Sequence, residues 1–505
     1  MRKALILLFF LLPASLTLLS CGGYSNPSSG GGQTTYKYRA FVTNGVSAGT
    51  EAAGVYVVDA QNDVRANVSA IQAGNNPGMM VLTPNRADTL VFSGTGTQGS
   101  DNQLTVINNS SSTAAGHVTL PGLTQSIVVS PNSSTAYAAV PTAPVIGQSP
   151  GAVEVVDITS GTITAAISCP SGNPNPAVCV PAPAPQVVPP NYCDLTPDEC
   201  PGFNAPYTNL FIGNTGTRVL AFSQGSDPVA NAVALITPTS VATSNPVITF
   251  VDGVAFGHPF DHPVWAFFNS DDSTAYVLNC GAECGGVQAS VQPIDLTTSP
   301  PTPGVAVPIP AGSVALVNNS TLFIAGTPMP ASPCTGQTTL ATSCGFLTQF
   351  NVGTMSVVNP TGCALGTNCP YIITDGYHNR IAMGANGQLF IGARACTEII
   401  PAVPPPVGAE VRGCLSIFNT LATPVGGNPA GGVVIPPETG DVTSIQPIAT
   451  RQVVYLIQGA GVQGGTLYIY DALTDALFDN PNNTNNPGQI FGLVGQFVDV
   501  KTIDF

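Results

Sequence analysis

Four histidines are available for chemistry, His117, His258, His262 and His378, and two of them share the short segment His258-Pro259-Phe260-Asp261-His262. Two imidazoles and a carboxylate suit a divalent metal if His258, Asp261 and His262 converge in space. The prolines in and after that segment equally suit a turn that leaves both rings in solvent, and both readings stay open. A second polar cluster, Cys193-Asp194-Leu195-Thr196-Pro197-Asp198-Glu199-Cys200, gathers the carboxylates of Asp194, Asp198 and Glu199. Hard oxygen ligands at such density hold calcium, but EF-type spacing around a glycine is missing, so a solvated acidic loop is the plainer reading. The G-x-S-x-G and G-x-G-x-x-G spellings that occur, at 45–49, 94–99 and 459–464, fall between strand-like runs with no helix pattern after them, so they read as hairpin loops and not as a nucleophile elbow or a phosphate-binding fingerprint. Arg218, Arg380 and Arg394 are the cations available to polarise a carbonyl. No motif calls for a cofactor, and a metal ion is the one candidate.

Cysteine is more informative. After Cys21 there are twelve, falling into neighbouring couples: Cys169/Cys179, Cys193/Cys200, Cys280/Cys284, Cys334/Cys344, Cys363/Cys369 and Cys396/Cys414. An even count in an exported chain points to disulfides, and adjacency favours local bridges, although sequence alone leaves the connectivity open. Zinc is the rival, disfavoured by the lack of CxxC pairs and the scarcity of histidine.

Export itself is written at the N-terminus. Arg2 and Lys3 precede an apolar run, Ala4 to Leu12, which has the length of a signal h-region and is too short to span a bilayer as a helix. Leu18-Leu19-Ser20-Cys21 resembles the bacterial lipobox. That resemblance implies cleavage after residue 20 and a diacylglyceryl thioether on Cys21. Residues 21–34 then read as a lipidated Gly/Ser-rich tether that holds a domain, 35–505, off a membrane. Gly22 stands where an aspartate would mark inner-membrane retention, so the expected location is the cell envelope, lipid-anchored in the outer membrane, periplasmic or surface-exposed. Losing Arg2 and Lys3 takes the net charge from −15 to −17 and leaves only Lys37 and Lys501 as lysines. Such a surface repels nucleic acid, which is held mainly by Lys and Arg. The expected partners are the membrane, through the N-terminal lipid, and an envelope protein or glycan.

With 54 Gly, 47 Pro and 8 % charged residues, no stretch sustains helical periodicity. Short β-branched and aromatic runs between polar turns predict an all-β array. One strand type recurs eight times: 39–42, 89–92, 135–138, 218–221, 274–277, 321–324, 388–391 and 452–455. Each is followed by an alternating strand that ends on Asp59, Asn108, Asp157, Thr237, Asp295, Asn351, Asn419 or Asp471. Ala40-Phe41-Val42-Thr43-Asn44 with Gly54-Val55-Tyr56-Val57-Val58-Asp59 is similar to the YVTN-type β-propeller repeat. The resemblance implies that these are the second and third strands of a blade. Eight units predict eight four-stranded blades, with seven as the alternative. The first unit lacks an innermost strand, and Phe497–Phe505 fits the vacancy and would close the ring.

Both loops longer than the repeat, Phe323 to Asn351 and Phe390 to Asn419, fall between second and third strands and carry cysteine couples. The segments 170–206 and 359–379 are read as following a fourth strand, which puts every cysteine couple on one rim. Rigid loops on one face of a scaffold suit recognition, while Trp265, Phe267 and Phe268 read as inner-strand core. The sequence therefore favours a binding or scaffold module over an enzyme. Some YVTN-like propellers resemble lactonases, so a hydrolase using the central funnel is the alternative.

Overall fold

Each repeat becomes a twisted antiparallel sheet. In the computed structural model the described residues are 36–45, 52–96, 99–143, 152–167, 187–188, 207–223, 233–237, 247–251, 253–329, 344–358, 370–396, 414–421, 433–434, 440–448, 451–459 and 465–504. They form eight sheets and belong to one compact unit, Tyr36–Phe505. The signal peptide, Cys21, the tether, the Asp194/Asp198/Glu199 loop and Cys169, Cys179, Cys193, Cys200, Cys334, Cys363 and Cys369 lie outside the described residues.

The chain is an eight-bladed β-propeller. The inner strands of blades 1 to 8 are Phe497–Thr502, Pro77–Leu82, Ser126–Val129, Tyr207–Ile212, Pro263–Phe268, Val314–Asn318, Tyr377–Met383 and Asp441–Ile448. Each packs against the inner strand of the next blade, and the eighth returns to the first. Blade 1 is closed by the C-terminal strand, which pairs with Arg39–Asn44 in the register Ala40↔Thr502, Phe41↔Lys501 and Val42↔Val500. Three details differ from a plain four-stranded repeat. Val187–Val188 adds a fifth, two-residue strand to blade 3. In blade 5 the outer strand is split, since Thr302–Pro303 and Val307–Pro308 both pair with Ser290–Asp295. In blade 6 the segment holding Cys363 and Cys369 does not follow the outer strand. It interrupts that strand, since Ser356–Val358 and Tyr371–Ile373 both pair with Gly345–Asn351.

Apolar side chains point to both faces of each blade, so the core is a ring of eight clusters, one at every blade interface. A hydrogen-bonded belt runs inside that ring. Asn209 Nδ2 donates to the Val264 carbonyl, Ser313 Oγ to that of His378 and Arg380 Nε to that of Thr443. Leu210 N–H donates to Ser126 Oγ, Met80 N–H to Asp499 Oδ2 and Ser444 Oγ to Asp499 Oδ1. Inner or second strands in blades 1, 2, 4, 5, 7 and 8 carry a β-bulge, which bends the strand and deepens its twist.

Third strands end on a polar residue because the turn needs an acceptor. Asp59, Asn108, Asp157, Asp295, Asn351, Asn419 and Asp471 each accept a backbone N–H two or three residues on. These hydrogen bonds build the turns of the scaffold.

Candidate functional site

Loops joining second to third strands, and outer strands to the next inner strand, emerge on one face of the ring, here the loop face. Across blades 5 to 7 they are tied into a crescent. Asp261 Oδ2, just before the blade 5 inner strand, accepts N–H bonds from Val287 and Gln288 at 2.8 Å. Glu283, in the same 280–289 loop, accepts from Thr327 N–H of blade 6 at 2.9 Å, and Thr327 Oγ1 donates to the Gly376 carbonyl at the start of blade 7. This framework holds Val254, Phe256, Val287, Met329 and Tyr377 exposed, Val287 by 85 %. Cys280–Cys284 and Cys396–Cys414 are both bridged and both lie on it. Cys344 is also disulfide-bonded, at the end of the blade 6 insertion.

A cluster of titratable side chains sits on the inner edge of the crescent. Tyr377 and Arg394 are cross-strand partners, which places them on one face of blade 7. Strict alternation would send Arg380 to the other face. The bulge between His378 and Arg380 inserts one residue and re-aims Arg380 to the side of Tyr377 and Arg394. Gly392 lies opposite, where a methyl group would come within 2.5 Å of Val442 Cγ1 and 3.3 Å of Arg380 Cβ. Neither arginine makes an ion pair among the described residues. Burial and the charge of Arg380 pull the Arg394 guanidinium below its usual value. Burial pushes the Glu283 carboxyl up to about 7, against the pull of the Thr327 N–H. Partial burial and the Glu283 charge raise the Tyr377 phenol, against the two guanidiniums. Glu283 Oε1 and Arg394 Nε are buried with no protein partner among the described residues. The cluster thus combines a carboxyl raised by burial with two cations and a phenol.

Of the residues singled out in the sequence, Asp261 and His262 do meet, Oδ1 to Nδ1 at 3.0 Å. Against the desolvation that would raise it, the N–H groups of Gln288 and Val287 and the His262 imidazole hold Asp261 below the usual carboxylate range. His258 is fixed through its backbone, its N–H to Gly253 and its carbonyl to Gln292 Nε2. Among the described residues no three His, Cys, Asp or Glu side chains gather to hold a metal. His378 is fully buried and faces Thr374, whose carbonyl accepts from Nε2 at 2.8 Å, and burial lowers its imidazole to about 4. His117 lies exposed on the outer strand of blade 2. Arg218 lies on the opposite, short-turn face, donating to the Asp272 carbonyl in the blade 5 turn. Phe268 is core, and Trp265 and Phe267, half-buried, pack against the core cluster between blades 5 and 6.

Sequence reasoning missed Glu283 and Tyr377. A signal existed for the first: Cys280-Gly281-Ala282-Glu283-Cys284 confines one of the chain's few glutamates in a tight ring.

No protein-family model and no curated protein sequence matches the chain. Among solved structures it is similar to the dihydro-heme d1 dehydrogenase NirN in complex with DHE, with a TM-score of 0.53 and 9 % identity, over 93 % of this chain and 75 % of that one. The periplasmic gluconolactonase PpgL of Pseudomonas aeruginosa aligns with a TM-score of 0.42 and 12 % identity, over 92 % and 98 % of the two chains. A putative 6-phosphogluconolactonase from Bacteroides fragilis gives 0.43 and 10 %, over 93 % and 99 %. At these identities the likeness establishes the propeller fold of this chain and nothing about its chemistry.

Proposed function

We propose that the chain is a binding module of the bacterial cell envelope, lipid-anchored through Cys21, that engages a protein, glycan or envelope polymer through its loop face. One observation carries this reading. The blade 5 to 7 crescent holds apolar side chains in water on a rigid, disulfide-clasped, hydrogen-bonded frame, the usual mark of an interaction surface. Calcium at Asp194, Asp198 and Glu199 would stiffen a loop of the same class.

A second reading, a lactonase-like hydrolase, is favoured by Glu283. A carboxyl near 7 is suited to general acid–base work. Its carboxylate would take a proton from the attacking water and return it to the leaving alkoxide as the ring C–O bond breaks. Arg380 or Arg394 would polarise the carbonyl.

A thermal-shift screen of residues 35–505 against metals, glycans and lactones, with and without EDTA, separates these readings. Ligand at 100 times its Kd adds about 2.7 kcal/mol. A lactone shift followed by turnover that is lost in Glu283→Gln supports the hydrolase. Silence toward lactones with retained envelope binding supports the module.

A further inference from the structure

We infer a second binding site, for a neutral oligosaccharide, in the cleft between blades 5 and 6 on the short-turn face, opposite the crescent. An aromatic row leads into it. Phe211 meets Trp265 edge-on at 6.1 Å, Trp265 lies 5.6 Å from Phe267, and Phe267 stacks on Tyr276 at 4.8 Å with the planes 15° apart. Register explains the row: Phe267 and Tyr276 are cross-strand partners, and Trp265 is two residues from Phe267 on the same face. All four rings are only half-buried, unlike Phe268 beside them at 7 %.

The cleft they reach has a volume of about 720 Å³ and is bordered by Ser270, Val317, Asn319 and Ser320. Its lining contains no charged side chain. Asn214 and Asn269 are committed to turn hydrogen bonds. The hydroxyls of Tyr276, Ser270 and Ser320 and the amide of Asn319 have no protein partner among the described residues, although they line a concave surface. Ring faces flanked by unspent neutral donors and acceptors complement a sugar, which is apolar across its C–H face and hydroxylated at its edge. An anionic or cationic ligand would be desolvated there with no partner for its charge. This site is independent of the crescent, and either can fail alone.

Trp265 is the chain's single tryptophan, so its fluorescence reports the row directly. The full-length lipoprotein in detergent is titrated with maltohexaose, cellohexaose and chitohexaose, and with hexagalacturonate as the charged arm. The site predicts a saturable change with at least one neutral hexasaccharide. Tyr276→Leu should weaken binding about tenfold. The surface pair Asn319→Gly/Ser320→Ala, in which glycine suits the left-handed φ of residue 319, should weaken it severalfold, and Phe256→Ser on the loop face should leave it unchanged. No response from any neutral sugar up to about 10 mM, a response indifferent to both cleft variants, or equal binding of hexagalacturonate would each overturn the assignment.

Discussion

Replacing Asp499 with alanine tests how the ring is closed. Its carboxylate lies on the C-terminal strand and takes the Met80 N–H of blade 2 at 2.8 Å on one oxygen. The other takes the Ser444 hydroxyl of blade 8 at 2.6 Å and Lys501 Nζ at 2.8 Å. One side chain therefore holds the three inner strands that meet where the chain begins and ends. Alanine would orphan the buried Met80 N–H and Ser444 hydroxyl, each costing about 1–3 kcal/mol. The Lys501 amine, partly exposed, can rehydrate and adds little. The expected loss is about 3–5 kcal/mol, a large share of the roughly 5–15 kcal/mol that stabilises a typical domain. Asp499→Asn can still accept the Met80 N–H on Oδ1 and donate Nδ2–H to the Ser444 oxygen, so a smaller loss than for alanine is expected. Urea unfolding followed by tyrosine and tryptophan fluorescence measures the midpoint. Hydrogen exchange of residues 39–44 and 497–502 shows whether the seam opens first. An alanine variant within about 0.5 kcal/mol of the parent, or one whose seam amides exchange no faster, would refute a closure role.

Further outcomes follow from the same contacts. Asp63, buried in a blade 1 turn, accepts both ends of the Arg451 guanidinium of blade 8 and the Tyr455 hydroxyl. Asp63→Ala should cost about 3–5 kcal/mol and Tyr455→Phe about 1 kcal/mol by chemical denaturation. The folded protein holds the Glu283 proton more tightly than the unfolded chain. That group's contribution to stability therefore declines as pH rises from 4.5 to about 7, then stays level. Glu283→Gln should flatten this limb in melting curves, with Tyr377, Arg380 and Arg394 facing it unchanged. His378 acts in the opposite sense, since its buried imidazole stays neutral down to about 4. Its contribution is complete above 6.5 and is lost as pH falls through that interval, so His378→Gln should soften acid unfolding. Removing Cys396–Cys414, which spans 18 residues, should lower stability by about 3 kcal/mol. Melting of Cys396→Ser/Cys414→Ser against the parent, both without reductant so that Cys280–Cys284 stays closed, reads that loss.

What the sequence makes legible is short in range. The Asp and Asn that end third strands bond N–H groups two or three residues away, so their role repeats visibly with the blade. Phe497–Thr502 could be assigned to blade 1 because the first repeat lacked an inner strand. The cluster around Glu283 was not legible, because its parts and their supports come from three blades. Glu283 is placed by a backbone N–H 44 residues away. Arg380 reaches the Tyr377 face only through a bulge that no pattern of residue types announces. The pairing of Arg380 with Arg394, and the separation of both from Arg218, likewise depend on blade order. Trp265 and Phe267 read as core because they sit on an inner strand. That strand has the ring axis on its free edge, which leaves them half open.

Binding through the loop face is tested most directly by site-specific photo-crosslinking in intact cell envelopes. A photoreactive residue is placed at Val287 or Met329 on the crescent, or at Leu421 or Leu473 on the short-turn face, all four exposed in the free protein. The account predicts a discrete adduct from the crescent positions, absent from the other two and lost when Phe256→Ser is added. Adducts from Leu421 and Leu473 with none from Val287 and Met329 would contradict it.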